Sequence, residues 1–239
     1  MEMACRQAPS FELSHRRLEG RPQDKGRQAV VRHVGADVDG ASERGAIDVT
    51  PTDTNVRTRV HEYGGGAYAL APESVGGGVV YVDFATQRLF HKRDGAEPTC
   101  LTPEGSCPNG QYRFADGCFD ATLGFVCVRE DHGPAGDAPP KEVVNEVVAV
   151  PMDGSGRVKL LATGGDFFGH PRISPDGTKL AYVTWDHPNM PCTRPTGSNS
   201  GVDLCRRARR RGAADSAFAG TSGSAHVPCA LTRFFSQGT

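Results

Sequence analysis

Apolar residues along this chain come in short runs, each broken within a few positions by glycine, proline or aspartate. The first is Gln28-Ala29-Val30-Val31-Arg32-His33-Val34, and Ile47-Asp48-Val49-Thr50 is a second, stopped by Pro51. Ala67–Leu70, Val79–Val82 and Gln87–His91 follow at close intervals, with Gly76-Gly77-Gly78 between the first two, and predict an antiparallel meander. Leu123–Arg129 is a further apolar run. Val143–Val150 and Val158–Leu161 predict a hairpin turned at Asp153-Gly154. Pro171–Ser174 and Lys179–Trp185 flank the turn Pro175-Asp176-Gly177. Residues 1–17 show no period, 35–46 are polar loop, and no helical periodicity is convincing before Pro191. The chain therefore reads as all-β.

One kind of strand recurs. Val79–Val82, Phe125–Val128 and Leu180–Val183 are separated by about 45 and then about 55 residues, the second step lengthened by the loop Asp131–Pro140. Four-stranded propeller blades repeat at about 40 to 50 residues. The spacing by itself gives only a modest preference for a propeller over a β-sandwich. After Cys192 the composition changes. Residues 192–239 carry the run Arg206–Arg211 among scattered Gly, Ser and Ala, with few β-branched residues, and predict a disordered basic tail. No aromatic residue interleaves the arginines, so a solvated tail is preferred to a nucleic-acid patch.

Composition narrows the function classes. With 239 residues, 30 glycines, 17 prolines and a formal net charge of −1, the chain suits many short elements and has no global field for nucleic acid or acidic membranes. No stretch approaches the roughly 18 to 20 apolar residues of a membrane-spanning helix. The start, Met-Glu-Met-Ala-Cys-Arg, lacks the apolar core of a secretory signal. The 8 cysteines include no C-x-x-C pair, and Cys127 sits inside an apolar run, so a reducing compartment fits better than a disulfide framework. A cytoplasmic location is favoured, with organellar targeting upstream of this start left open.

Two segments carry a resemblance. Val56-Arg57-Thr58-Arg59-Val60-His61-Glu62-Tyr63-Gly64-Gly65-Gly66-Ala67-Tyr68 is the first, and His170–Tyr182 together with Trp185-Asp186-His187-Pro188-Asn189-Met190-Pro191 is the second. Both resemble propeller segments of dipeptidyl and acylaminoacyl peptidases in the prolyl oligopeptidase family. Leu18–Pro22, Arg113–Gly117 and Val128–His132 match the same family in the same order, so the likeness spans about 18–191. Ser174-Pro175-Asp176-Gly177 alone is a weak motif, because many propellers turn hairpins this way. The resemblance implies a partial β-propeller of about three four-stranded antiparallel blades over 18–191, which in the whole enzyme covers an active site and restricts access to peptide-sized substrates. In the family, further blades and an α/β-hydrolase domain with Ser, Asp and His follow; here the likeness stops at Pro191. An altered reading frame, alternative splicing or a mis-predicted exon would explain that break.

The sequence lacks the chemistry of such an enzyme. A nucleophile elbow needs G-x-S-x-G, and Gly220-Thr221-Ser222-Gly223-Ser224 comes closest but ends in Ser. No catalytic residue is assigned, and this chain alone is expected to be inactive. His61-Glu62-Tyr63-Gly64-Gly65 opens like a zinc-protease motif but has Gly65 where the second His belongs. Gly64–Ala69 formally resembles a dinucleotide fingerprint, yet it leads into a strand rather than a helix N-terminus. Gly64, Gly65 and Gly66 instead predict a tight bend or a close backbone approach. No cofactor or metal is expected.

Arg59, His61 and Glu62 are the substrate-channel candidates, with a structural hydrogen-bonding role as the alternative for His61 and Glu62. Asp186 and His187 are expected to stabilise a turn, and Tyr182 and Trp185 to pack between blades. The expected partner is a peptide, and only in a full-length parent enzyme; exposed blade edges offer a surface for a protein. Two alternative functions remain at this level: a self-standing propeller-type binding scaffold, and an active serine peptidase whose hydrolase domain is missing from the gene model. An open propeller leaves strand edges unpaired, so the isolated chain is expected to be poorly stable.

Overall fold

The computed structural model describes residues 14–34, 46–104, 110–189 and 200–206. Among them are strands and two short 3-10 turns, with no α-helix. The chain divides into two compact units, Met1–Val56 and Arg57–Thr239.

The first unit holds β1 (Ser14–Arg21), β2 (Arg27–Val34) and β3 (Ala46–Asp48) in one antiparallel sheet of that order. Ala29, Val30 and Val31 of β2 are fully buried, which matches the apolar run predicted there. Asp48 accepts from Arg27 at 2.8 Å and also pairs with Arg21. Thr50 Oγ1 accepts the Val30 amide at 3.2 Å, so the strand predicted to run to Thr50 ends in side-chain and turn bonds. The irregular segment predicted to run to residue 17 is already strand from Ser14. Its polar residues gave no alternation, because strand geometry there comes from pairing with β2 and not from a buried face of its own. Residues 1–13 and 35–45 lie outside the described residues.

The second unit is three antiparallel meanders. The first contains β4 (Tyr68–Leu70), β5 (Val79–Val82), β6 (Leu89–Lys92) and β7 (Thr99–Cys100). The second contains β8 (Tyr112–Asp120), β9 (Gly124–Asp131), β10 (Val144–Val150) and β11 (Lys159–Thr163). The third contains β12 (Phe167–Ile173), β13 (Lys179–Trp185) and β14 (Ser200–Arg206). The three recurring apolar strands of the sequence, β5, β9 and β13, each take second place in their sheet. That shared position is why they repeat: the second strand is paired on both sides, and in β5 and β9 both faces are buried as well.

The β8–β11 sheet shows the packing. Phe125, Cys127, Val148 and Val150 point to one face and join Val80, Val82, Leu89, Leu101 and Phe114. Val126, Val128, Val147 and Ala149, the intervening residues, point to the other face and join Val60, Phe168 and Leu180. Strand period 2 puts alternate side chains on opposite faces, so a sheet sandwiched between two neighbours reads as a continuous apolar run. Sheet is stacked on sheet in this way, as in successive propeller blades. The fold is all-β, and it is that of a partial propeller.

The tail differs from expectation in one place. Ser200–Arg206, inside the segment predicted to lack regular structure, pairs along the whole of β13, from Lys179↔Arg206 to Trp185↔Ser200. Val202 and Leu204 alternate with polar neighbours there, and an open β13 edge offers the unpaired backbone that draws in a third strand. The remaining tail, 207–239, lies outside the described residues, as do 190–199.

Candidate functional site

The segment Thr58–Gly66 enters the first meander of the second unit through two overlapping turns. The Arg59 carbonyl accepts the Glu62 amide at 2.9 Å, and the Val60 carbonyl accepts the Gly64 amide at 2.8 Å. The bend forces the left-handed region on two side-chain-bearing residues in a row, His61 at φ 55° and Glu62 at φ 63°. Each such residue costs about 1 kcal/mol or more, so it persists only where neighbours over-determine it.

The neighbours do so here. Thr58 Oγ1 donates to the Phe114 carbonyl at 2.7 Å, and Gln87 Oε1 accepts the Arg59 amide at 2.9 Å. Arg113 Nη1 donates to the Arg59 carbonyl at 3.2 Å and to Glu62 Oε1 at 2.7 Å. Buried Glu130 accepts the His61 amide through Oε1 at 2.8 Å, while its Oε2 meets His132 Nε2 at 3.0 Å. The result is a rigid bend that points Arg59, Glu62 and Tyr63 to solvent and turns His61 inward.

His61 sits against aromatic rings. Its centroid lies 5.6 Å from Phe167 and 5.5 Å from Trp185, edge-on to both, and those two rings stack on one another at 5.4 Å. Tyr63 is 5.7 Å away and 72% exposed. Burial holds the His61 ring below the ordinary histidine range, and the Glu130 and Asp116 charges oppose that only in part. Its Nε2 has no hydrogen-bond partner, and Glu130 Oε1 lies 4.0 Å off.

The three glycines work as the sequence predicts. Gly64 has φ +96°, and a Cβ on Gly65 or Gly66 would come within 3.1 Å of Asp116 Oδ1. The close approach is used: Gly66 donates to Asp116 Oδ1 at 2.7 Å, and the Asp116 amide returns a bond to the Gly66 carbonyl at 2.9 Å. Asp116 Oδ2 also accepts the His170 amide at 3.3 Å. One carboxylate thus ties the entry to β4, the bulge of β8 and β12, which are the first strands of the three sheets.

Ser174, Pro175, Asp176 and Gly177 stand apart, closing the β12–β13 hairpin. Ser174 Oγ donates to Asp176 Oδ1 at 2.6 Å, and the Thr178 amide and hydroxyl donate to the same carboxylate at 3.0 and 2.8 Å. Asp186 and His187 stabilise a turn, as expected. Asp186 Oδ1 accepts the Asp166 amide at 2.8 Å, and Asp166 Oδ2 accepts the His187 amide at 2.9 Å. Trp185 is buried against Phe167 and His61, and Tyr182 packs on Phe168 at 5.4 Å.

Arg113, Asp116, Glu130 and His132 lie in the segments Arg113–Gly117 and Val128–His132, which carry the resemblance but no recognisable site motif. The signals were present: an Asp-Gly pair inside a strand marks a bulge, and a Glu ending the apolar run Phe125–Val128 needs a buried partner. Among the described residues, no three His, Cys, Asp or Glu side chains come together in a way that could hold a metal ion. Cys100, Cys118 and Cys127 are free thiols, each pushed up by burial and thus unsuited to act as thiolate nucleophiles.

Comparison with solved structures decides the relationship. Puromycin hydrolase matches at a TM-score of 0.63 and 30% identity, over 79% of this chain and 28% of that one. The chain resembles part of a prolyl oligopeptidase-family peptidase. A mutant of puromycin hydrolase complexed with PGG matches this prolyl oligopeptidase-like chain equally, at 0.63 and 31% identity. A puromycin-hydrolyzing peptidase of Mycobacterium tuberculosis matches at 0.63 and 28% identity, over 80% of this chain and 27% of that one. The prolyl oligopeptidase-like chain therefore spans a little over a quarter of the length of these enzymes. No family model matches the sequence, and no curated protein matches it.

Proposed function

We propose that these residues serve as the propeller portion of a prolyl oligopeptidase-like serine peptidase, gating peptide access to a catalytic centre that lies outside this chain. The observation that carries the reading is the match over 79% of the chain to a solved hydrolase of this family. The sequence holds no G-x-S-x-G elbow, so no activated hydroxyl is available for covalent peptide chemistry. What the chain offers is a wall.

On that wall the Arg59–Glu62 bend is the part suited to touch a peptide. Its backbone is strained and heavily tethered, the combination that marks positions kept for function rather than for stability. The Arg59 guanidinium is a donor for a peptide carbonyl, and the exposed Glu62 carboxylate is an acceptor for a peptide N–H. His61, buried and largely neutral at pH 7, acts behind them by fixing the bend.

The test has two arms on the recombinant chain. A fluorogenic aminoacyl substrate and a fluorophosphonate label should show no turnover and no labelling. A labelled short peptide should bind with a weak, saturable anisotropy change that Glu62→Gln reduces by about threefold, the loss of one charged hydrogen bond near a surface. Hydrolysis by the purified chain would overturn the non-catalytic reading. Equal peptide binding by wild type and Glu62→Gln would remove Glu62 from the channel.

A further inference from the structure

Beside the bend, and sharing Arg59 with it, lies a second feature. A cavity of about 270 Å³ is lined by three arginines, Arg59, Arg88 and Arg113, together with Gln87 and a single carboxylate, Glu104. An arginine cluster on a protein surface is ordinarily a solvated face, each side chain free to swing away from the others. That account fails for two of the three, because the side chains of Arg88 and Arg113 are only 20% and 12% exposed, while Arg59 is exposed.

Each arginine is also held in place. Arg113 is anchored through Nη1 to the Arg59 carbonyl and to Glu62. The Arg59 guanidinium lies over the Phe84 ring, 4.6 Å from its centroid, and Gln87 fixes both partners by accepting from the Arg59 amide at 2.9 Å and donating to the Phe84 carbonyl at 2.8 Å. Arg88 has a buried Nε with no hydrogen-bond partner, and its nearest acidic group, Glu104, is 3.5 Å away on a side chain that is 80% exposed. Three guanidiniums are therefore brought together at one hollow, and their charge is only partly offset, by Glu62 on Arg113 at 2.7 Å and by Glu104 on Arg88 at 3.5 Å. Like charges so placed repel, and an unpaired buried N–H costs free energy until an acceptor arrives.

We propose that this cavity binds one oxyanion group, a carboxylate or a phosphate, on a small ligand. Guanidinium presents paired donors in a planar fork that fits two oxygens of such a group, and three forks around one hollow suit an anion better than a neutral ligand. The proposal rests on the cavity alone and does not depend on the peptidase reading, since anion binding is measured without any substrate turnover.

Isothermal titration of the full chain with inorganic phosphate, and separately with N-acetyl-aspartate, at ionic strength fixed with chloride, tests it. At least one should bind saturably at a single site. Phosphate alone would identify phosphoryl ligands, and N-acetyl-aspartate alone would identify carboxylates such as those of acidic peptides. Arg88→Gln should weaken the binding about tenfold, the scale of one lost charge-assisted contact. Glu104→Gln, which removes the competing carboxylate, should tighten it about threefold. The Glu104 side chain is 80% exposed, so that variant folds even where Arg88→Gln does not. Absence of saturable binding by either ion up to about 10 mM would overturn the proposal. So would an affinity left unchanged by Glu104→Gln.

Discussion

Asp116 and Gly66 hold one another by reciprocal bonds: the Asp116 carboxylate accepts the Gly66 amide at 2.7 Å, and the Asp116 amide donates to the Gly66 carbonyl at 2.9 Å. Asp116 makes this exchange from the left-handed region, at φ 57°, inside the irregular register of β8 between Ala115 and Cys118. The bulge aims the carboxylate across to the glycine bend, and a side chain on Gly66 would block it.

Removing that carboxylate should loosen the second unit. Its side chain is 12% exposed, and it accepts from Gly66 and His170 at once. Asp116→Ala leaves both amides without their acceptor and puts a residue poorly suited to positive φ at the bulge. We expect a loss of about 1.5 to 3 kcal/mol, the range for a hydrogen bond to a charged group. Asp116→Asn, which tolerates the same backbone and keeps one acceptor oxygen, should lose about half as much. Urea unfolding followed by Trp185 fluorescence measures both, and an unchanged midpoint for the alanine variant would refute the clasp.

Gly117 offers a sharper packing test. A Cβ built there would fall 1.8 Å from Cζ of Phe125, well inside contact distance, and that ring is buried among Phe114, Cys127 and Val148. The backbone at Gly117 needs no positive φ, so the glycine is required for space. Gly117→Ala should cost about 1 to 3 kcal/mol through overpacking. Pairing it with Phe125→Leu should recover part of the loss, whereas independent, additive effects in that double variant would show that the ring is not what Gly117 accommodates.

Much of this architecture was legible in the residues. Strands with apolar side chains on both faces, β5, β9 and β10, announced themselves because burial on both sides leaves no polar position to interrupt the run. Strands fixed by pairing were silent: β1 is polar except for Leu18 and Gly20, β7 is two residues long, and β8 carries Arg113, Asp116 and Gly117 through its middle. The site was half visible. Gly64–Gly66 predicted a close approach, which the structure realises against Asp116. The partner that meets it sits 50 residues away, as does much of the network around His61, and no local pattern encodes contacts of that range.

His61 gives the second unit a dependence on acid. Burial among Phe167, Trp185 and Tyr63 lowers its pKa in the folded chain from 6.5, while the unfolded chain keeps the ordinary value. Where the folded pKa is depressed, the unfolded state binds the extra proton first. The stabilisation is present above about pH 6.5 and is lost as pH falls through the lower folded value. Glu130, Asp116 and His170 face the ring, the two acids favouring the charged form and His170 opposing it. The urea midpoint of the wild type should therefore drop between about pH 7 and pH 5 more steeply than that of His61→Phe, which keeps an aromatic ring in place but cannot take up a proton. Parallel pH profiles for the two proteins would exclude His61 as the source.

The β12–β13 turn should lose its support at a much lower pH. Asp176 is held down to about 2, first by the Ser174 hydroxyl and then by the Thr178 amide and hydroxyl. All three donors bond to the charged carboxylate, so protonation breaks the turn's own network. An acid depressed in the folded state stabilises above its unfolded value of about 4 and ceases to do so as pH falls through about 2. Between those limits the turn's contribution to stability should decline while the folded hairpin keeps its network down to about pH 2. Carboxyl NMR of Asp176 should titrate near pH 2, and Ser174→Ala should carry it toward the ordinary aspartate value by removing the largest contributor. If the serine variant titrates with the wild type, the hydroxyl contributes nothing, and the depression must come from the Thr178 donors alone.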